Sequence, residues 1–499
     1  MGGGATGLGT ALDAASRGLK TVLLERADFA GGTSSRSTKL VHGGVRYLQQ
    51  GNVRLVREAL KERALLLKNA PHLVHKQQFI VPCYKWWEKP FYGIGLKIYD
   101  NMAGKRGLGP SRFLSREETM QHAPTLDPKN LRGGILYYDA QFDDARLALD
   151  IALTAEHYGA TLLNYFPVTG LLKMQNRICG VWVKDQLTGL DYEIRSRIVI
   201  NSTGVFADSI LKMDDPKHRP LIQPSQGIHL VVDKKFLPGN TAIMIPRTDD
   251  GRVLFAVPGH GKLVLGTTDT PMKHIQSEPV PLQEEIDFVL QQIGRYLSKD
   301  PQLSDIRSMF AGLRPLVKGR TGKTAALTRD HRISLSDSGL VSITGGKWTT
   351  YRRMAEDVLD FTIRKFGLKS GPCLTKEMSL VYIMKDQDDG ADSPGISRSH
   401  GDLIPMDSGR GHPEEDEKIY PDSDIVKKQL RLAVRNEMCM TVEDFLSRRT
   451  RQLLLDARTA LRMAPTVARL MAIELDRDEQ WIQEQINIFS SLAGHYLPT

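Results

Sequence analysis

Apolar residues recur at helical spacing from the start of the 499-residue chain. Leu8, Ala11, Leu12 and Ala15 share one face of a segment running from Ala5 to about Arg17, and Gly18 is placed to close that helix. The next apolar run, "TVLLE", is short and continuous, as a buried strand is, and ends in Glu25. Two later stretches read in the same way. "RIVINSTG" predicts a buried strand entering a Ser202-Thr203-Gly204 turn, and "SGLVSITGGKWTTYRRMAEDVLDFTI" predicts strand, Gly345-Gly346 turn and helix. Between them the period changes. "QGIHLVVDKK" and "TAIMIPRTDDGRVLFAVPGHGKLVLGTTD" alternate apolar and polar residues around Asp250-Gly251, which predicts an antiparallel sheet with a hairpin turn there. From Lys385 to Asp424 Asp, Gly, Ser, Pro and Glu dominate, a linker composition. Helical spacing resumes at Ile425. Thr441 with Asp444 makes a start resembling a capping box, and a small helical bundle is predicted to follow.

Bulk properties narrow the class. A chain of 499 residues exceeds one core, so two or three domains are expected. Hydrophobic content of 41% and charged content of 25% are those of a globular protein, and no apolar run reaches membrane-spanning length. Cys83, Cys179, Cys373 and Cys439 lie far apart, which suggests a reduced compartment and neither a disulfide frame nor a zinc site. The net charge of +9 favours anionic partners, and no nucleic-acid motif accompanies it. No metal ligand set is read, and no D-x-[DN]-x-[DN]-G loop is present, so calcium regulation by that route is not expected.

Charge and glycine placement give the first helix a task. Gly2, Gly4 and Gly7 form G-x-G-x-x-G at its N-terminus, where backbone N–H groups and the helix dipole favour a pyrophosphate. Glu25, 18 residues after Gly7, stands where an acid accepts hydrogen bonds from a ribose, so FAD or NAD is expected rather than NADP. Gly31, Gly32, Thr33, Ser34, Ser35, Ser37 and Thr38 then make a run of small donors suited to the long arm of FAD. Lys39, His42, Gly43, Gly44, Arg46 and Tyr47 follow. In a doubly wound sheet the strand before Gly2 is central, and the sequence opens directly on the loop. The Rossmann-like sheet is therefore expected to lack its first strand.

Several of these stretches together resemble the FAD-dependent, respiratory glycerol-3-phosphate dehydrogenases of the D-amino-acid-oxidase-like flavoprotein superfamily. The motifs that carry the resemblance are "GGGATGLGTALDAASRGLKTVLLER", "GTSSRSTKLVHGGVRYLQ", "FDDARLALDIALTA", "VINSTGVFADSI", "GTTDTP", "GLRPLV" and "GGKWTTYRRMAEDV". The resemblance implies an α/β fold: a Rossmann-like FAD-binding domain, an inserted antiparallel-sheet substrate domain and a C-terminal helical domain. It implies FAD contacts from Gly2, Gly4, Ala5, Thr6, Gly7, Glu25, Arg26, Thr33, Ser34, Ser35, Ser37, Lys39, Leu40, His42, Gly43 and Gly44. Val168, Thr203, Gly204, Gly345, Gly346, Lys347 and Thr349 complete that set.

On the substrate side the sheet carries or adjoins His229, Thr268, Asp269, Arg314 and Arg329, with Lys347 arriving from the flavin domain. Oxidation of a secondary alcohol needs a base with a pKa near neutrality, which points to His229 first and His42 second. The resemblance assigns a phosphate grip to Arg314, Arg329 and Arg46, supported by Tyr47 and Lys347. The implied reaction oxidises sn-glycerol 3-phosphate to dihydroxyacetone phosphate and passes electrons to a membrane quinone. An oxygen-using glycerol-phosphate or amine oxidase of the same fold, and a truncated non-catalytic binding protein, remain open alternatives.

Peripheral attachment to an energy-transducing membrane, mitochondrial or bacterial, is implied, and no targeting segment is read ahead of the glycines. "CYKWWEKPFYGIGLKIYDNMAGKRG" interleaves aromatics and cations, as an interfacial helix or a helix packed in the substrate domain would. A homodimer is one open oligomeric state. The expected division is FAD-binding residues 1–84, 139–215 and 325–370, a substrate or membrane-facing region 85–138 and the antiparallel sheet 216–324. A linker, partly disordered, spans 371–424 and the helical domain 425–499.

Overall fold

The computed structural model describes residues 1–45, 48, 52–317, 331–380, 417–421 and 423–498. The first amphipathic segment forms helix α1 (Ala5–Ser16), and Gly18 ends it in the left-handed region at φ 80°. Leu8 and Leu12 bury its apolar face, and the helix packs between α3 (Asp144–His157) and α4 (Tyr351–Phe366).

The parallel layer beside α1 is in two parts. β1 (Val22–Leu24) pairs in parallel with β6 (Thr161–Leu163). β10 (Ile200–Asn201) pairs in parallel with β18 (Val341–Thr344), which pairs antiparallel with β17 (Arg332–Leu335). Among the described residues no strand runs between β1 and β10. Met1 and Gly2 hold that line instead. The Gly2 N–H donates to the Leu24 carbonyl at 2.9 Å, the Met1 ammonium to the Ile200 carbonyl at 2.9 Å, and the Ser202 N–H to the Met1 carbonyl at 3.0 Å.

A ten-stranded sheet forms the second layer. β11 (Ile222–Asp233) pairs antiparallel with β14 (Lys262–Gly266), then come β13 (Leu254–Gly259), β12 (Ala242–Ile245), β3 (Val74–Pro82), β5 (Gly134–Phe142) and β2 (Leu40–Val41). β15 (Thr270–Pro271) and β16 (Ser308–Val317) also pair with β11, and β4 (Arg112–Leu114) pairs with β5. The turn between β12 and β13 closes with the Gly251 N–H on the Thr248 carbonyl at 2.9 Å, Gly251 having φ 79°. This sheet is wider than residues 216–324. It takes β2 and β3 from the stretch read as the first flavin segment, and β4 and most of β5 from 85–138, because a strand's partner is set by long-range pairing. A small sheet of β7 (Val168–Met174), β8 (Arg177–Lys184) and β9 (Asp191–Arg195) flanks the parallel layer.

Helix α2 (Glu88–Ala103) buries Tyr92 and Leu96 against the large sheet, and Tyr99 and Ala103 against Val56 and Leu60 of the helix Val53–Asn69. Residues 371–380 begin the predicted linker yet are packed: Met378 and Leu380 join the core around α1, and the Leu380 N–H donates to the Asn69 carbonyl at 2.9 Å. The rest of that linker to residue 416 lies outside the described residues. At the C-terminus α5 (Ala457–Leu475) and α6 (Glu479–Gly494) pack together. The capping pair forms as expected, with the Asp444 N–H on Thr441 Oγ1 at 3.2 Å and the Thr441 N–H on Asp444 Oδ2 at 3.0 Å. Asp28, next to the glycine loop, receives Arg448 and Arg449 at 2.5 Å each, which joins this domain to the first. No helix among the described residues is long and apolar enough to cross a membrane.

Candidate active site

A cavity of about 560 Å³ lies between the parallel layer and the large sheet. At one end are Glu25, Arg26, Val168 and Met213; at the other are Gly227, His229 and Arg314. Gly2, Gly4, Ala5 and Thr6 line it where α1 begins. Gly2 has φ 95°, and a Cβ there would stand 2.7 Å from the Ser202 carbonyl oxygen. Gly7 sits behind the lining, and its Cβ would overlap the Gly2 carbonyl, so the loop can fold onto the helix only with glycine there. At the end of β1, Glu25 accepts the Gly3 N–H at 2.5 Å and the Ala27 N–H at 3.0 Å, which fixes its carboxylate beside the loop. The Arg26 guanidinium lies 3.8 Å above the Phe206 ring.

The donor run wraps the middle of the cavity. Thr33, Ser34, Ser37, Thr38, Leu40 and His42 line it; Ser35, Lys39, Gly43 and Gly44 do not. Ser34 Oγ caps the Ala5 N–H at 2.9 Å, Thr33 donates to the Leu313 carbonyl at 2.6 Å, and Trp348 Nε1 donates to the Ser34 carbonyl at 2.7 Å. Lys39 turns away from the cavity: its ammonium donates to the Ser35 carbonyl and pairs with the buried Asp144. Burial raises the Asp144 carboxyl and Lys39 opposes it. Asp144 also takes the Ser37 hydroxyl at 2.6 Å, so this acid at the start of α3 pins the loop. The quoted "FDDARLALD" contained it, though nothing local in that stretch tied it to residues 35–39. Gly43 packs on Tyr99, whose hydroxyl accepts its N–H at 2.8 Å. The Thr203-Gly204 turn, Gly345, Gly346, Lys347 and Thr349 complete the lining.

At the far end the sheet supplies the polar groups. His229 of β11 stacks on Phe310 of β16, with centroids 4.9 Å apart, and its Nε2 lies 2.9 Å from Thr38 Oγ1. Its Nδ1 is buried with no hydrogen-bond partner among the described residues. Burial first, then Arg314 and Lys39, hold the ring well below the usual imidazole range, so it is neutral at pH 7. Arg314 is fixed by Asp269 at 3.2 Å, Thr267 Oγ1 at 3.1 Å and the Gln226 carbonyl at 3.3 Å. Asp269 and Thr268 stand outside the lining. Asp269 holds Arg314 and accepts the Ser225 hydroxyl, while the Thr268 hydroxyl donates to Glu285 at 2.7 Å and accepts the Ile228 N–H at 3.1 Å. Gly227 was missed in the sequence, although its period-two spacing from His229 puts both on one face of β11. A Cβ on Gly227 would overlap the Arg314 guanidinium. Arg46, Tyr47 and Arg329 lie outside the described residues.

These residues fit FAD. One part of the cavity lining offers a helix N-terminus with an oriented carboxylate, and another holds a buried imidazole nitrogen, unpartnered among the described residues, beside a guanidinium. The comparisons with known proteins agree with this. A family model described as FAD dependent oxidoreductase matches residues 1–352, and one described as the C-terminal domain of alpha-glycerophosphate oxidase matches residues 398–482. The mitochondrial glycerol-3-phosphate dehydrogenase of Mesocricetus auratus is 41% identical over 96% of this chain and 70% of its own length. That of Homo sapiens is 41% identical over 97% of this chain and 71% of its own. The crystal structure of the glycerol-3-phosphate dehydrogenase from Bacillus halodurans complexed with FAD superposes with a TM-score of 0.76. It is 30% identical, and the match covers 100% of this chain and 94% of that one. The chain belongs to the FAD-dependent oxidoreductase family, among its glycerol-3-phosphate dehydrogenases.

Proposed function

We propose that the chain oxidises sn-glycerol 3-phosphate to dihydroxyacetone phosphate and delivers the electrons to a membrane quinone. The observation that carries this reading is a neutral, buried His229 beside a fixed Arg314, at one end of a cavity whose other end suits a dinucleotide. Gly2, Gly4, Ala5, Thr6 and Glu25 would hold the ADP half of FAD, and Thr33, Ser34, Ser37 and the Gly345–Thr349 turn its flavin half. FAD, when bound, supplies the acceptor for the hydride that leaves the substrate's carbinol carbon.

The protein's own groups do the rest. Arg314 presents its guanidinium to the phosphate dianion, and the Asp269 and Thr267 contacts keep it from collapsing onto the sheet. His229 takes the hydroxyl proton at Nε2, the nitrogen facing Thr38. A low pKa leaves that nitrogen unprotonated when substrate arrives, and the incoming dianion raises its basicity by opposing the field of Arg314 and Lys39. His42 lines the same cavity and is the second candidate base.

Helix α2 supports membrane contact. Its inner face is buried, while Phe91 and Ile94 are 57% and 62% exposed, and Ile98 and Trp86 continue the same apolar strip. Lys85, Lys89, Lys105 and Arg106 supply the cations that anionic headgroups would meet. The Tyr99 hydroxyl on the inner face of α2 also accepts the Gly43 N–H, next to His42 in the cavity, so this face lies a short path from the flavin site. Anaerobic addition of sn-glycerol 3-phosphate to the FAD-loaded protein tests the reading. Bleaching of the flavin absorbance, reversed by a soluble quinone faster than by air, is expected. A spectrum that stays oxidised would refute it.

A further inference from the structure

A second, larger cavity of about 900 Å³ opens where the ten-stranded sheet splays apart. β12 pairs with β3 only at Ala242–Phe79 and Ile243–Ile80, so the first half of β3 and the His260-Gly261 hairpin after β13 stand apart across a slot. Leu454 and Leu455 of the C-terminal domain close one side. Phe310 forms a wall, with its ring also stacked on His229 of the flavin site.

The chemistry of this slot is one-sided. Among the described residues its lining carries five Lys and Arg side chains and three imidazoles against one carboxylate, Asp143. Lys39 and Arg451 are matched by Asp144 and Asp143. Among the described residues Lys76 and Lys234 meet only neutral groups: the Lys76 ammonium lies 3.8 Å over the Tyr138 ring, and Lys234 donates to Asn240 Oδ1 at 2.9 Å. Arg146 donates Nε to Asp150 and Nη1 to Glu437, which leaves the buried Nη2 without a partner among the described residues. His75 and His260 add donors at the rim. A buried guanidinium N–H left unmade is costly, and cations gathered around a cavity repel one another unless an anion joins them. The slot is also within the size range of small-molecule sites.

We infer that this slot is a second binding site, distinct from the flavin cavity, for a small polyanion with phosphate or carboxylate groups, held by Lys76, Lys234 and Arg146. Calorimetric titration of the FAD-loaded full chain with inorganic pyrophosphate, and separately with citrate, tests it and tells the two chemistries apart. At least one probe is expected to bind saturably. The Lys76→Met/Lys234→Met double variant should weaken it about tenfold or more. Both lysines are partly or fully solvent-facing, and an unchanged flavin spectrum in the double variant shows that the fold survives. Arg314→Met, which alters only the flavin cavity, should leave the affinity unchanged. No saturable binding of either probe, binding unchanged in the double variant, or binding lost in Arg314→Met would each overturn the inference.

Discussion

Gly227→Ala should damage substrate recognition while leaving the fold intact. Gly227 lies within β11 with ordinary strand geometry, so an alanine meets no backbone penalty there. Its Cβ would overlap Arg314 Nη2 and stand 2.7 Å from Arg314 Cζ and 2.6 Å from Thr267 Oγ1. Relief requires the guanidinium, the far end of a flexible side chain, to move by about 1 Å, because ordinary contacts of this kind begin near 3.4 Å. That shift breaks the 3.1 Å bond to Thr267 and loosens the 3.2 Å pairing with Asp269. A hydrogen bond to a charged group contributes about 1.5–3 kcal/mol, so losing one from the phosphate grip corresponds to a roughly 10- to 150-fold fall in kcat/KM. The fall should come mostly as a raised KM, because in the proposed role Arg314 would bind the phosphate alike in substrate and transition state. Replacing Gly also removes unfolded-chain entropy, which adds about 0.4–1 kcal/mol of stability. Steady-state kinetics with a quinone acceptor, alongside a thermal melt of the FAD-loaded protein, provide the assay. A kcat/KM within twofold of the parent would refute the placement of Arg314, and loss of FAD would show that the substitution reaches further than the strand face.

Four further outcomes follow from particular contacts. His229→Asn should slow flavin reduction by about 10²- to 10⁴-fold in rapid-mixing experiments while substrate binding changes far less; unaltered reduction would remove His229 as the base. Because the folded-state pKa of His229 lies below 6.5, the unfolded chain takes up that proton more readily, so its contribution to stability is complete above pH 6.5. It declines as pH falls from 6.5 towards the lowered value, and denaturant titrations across that window should show the slope. Asp28→Asn removes the carboxylate that, against the effect of burial, Arg449 and Arg448 hold below the usual range. It should cost on the order of 3–5 kcal/mol by leaving buried guanidinium groups unmatched, read as a lower unfolding midpoint, and a change under 1 kcal/mol would contradict the buried pairing. Phe91→Ser/Ile94→Ser should abolish co-sedimentation with vesicles of anionic lipid without altering flavin reduction, and retained binding would move the membrane surface elsewhere.

Near-neighbour chemistry was legible in the chain. The glycine loop, α1, β1 leading into Glu25, the Gly345-Gly346 turn and the Thr441–Asp444 cap each depend on groups within a few residues of one another, and all stand where the pattern put them. His229 and Arg314 were legible as residue types suited to a base and a phosphate grip, and both line the cavity. Tertiary structure alone decided which polar residues face that cavity and which support it. Asp269 is turned to Arg314 and Thr268 to Glu285, while Lys39 is drawn to an acid 105 positions away. The period of two tells which face of a strand is buried but carries no label for the strand beside it. So β3 and β5 could not be assigned to the large sheet from pattern, and the slot where β12 leaves β3 could not be anticipated. The same holds for Asp28 with Arg448 and Arg449, 420 and 421 positions apart: a buried charge fixes the need for a partner, and only the folded chain decides which one arrives.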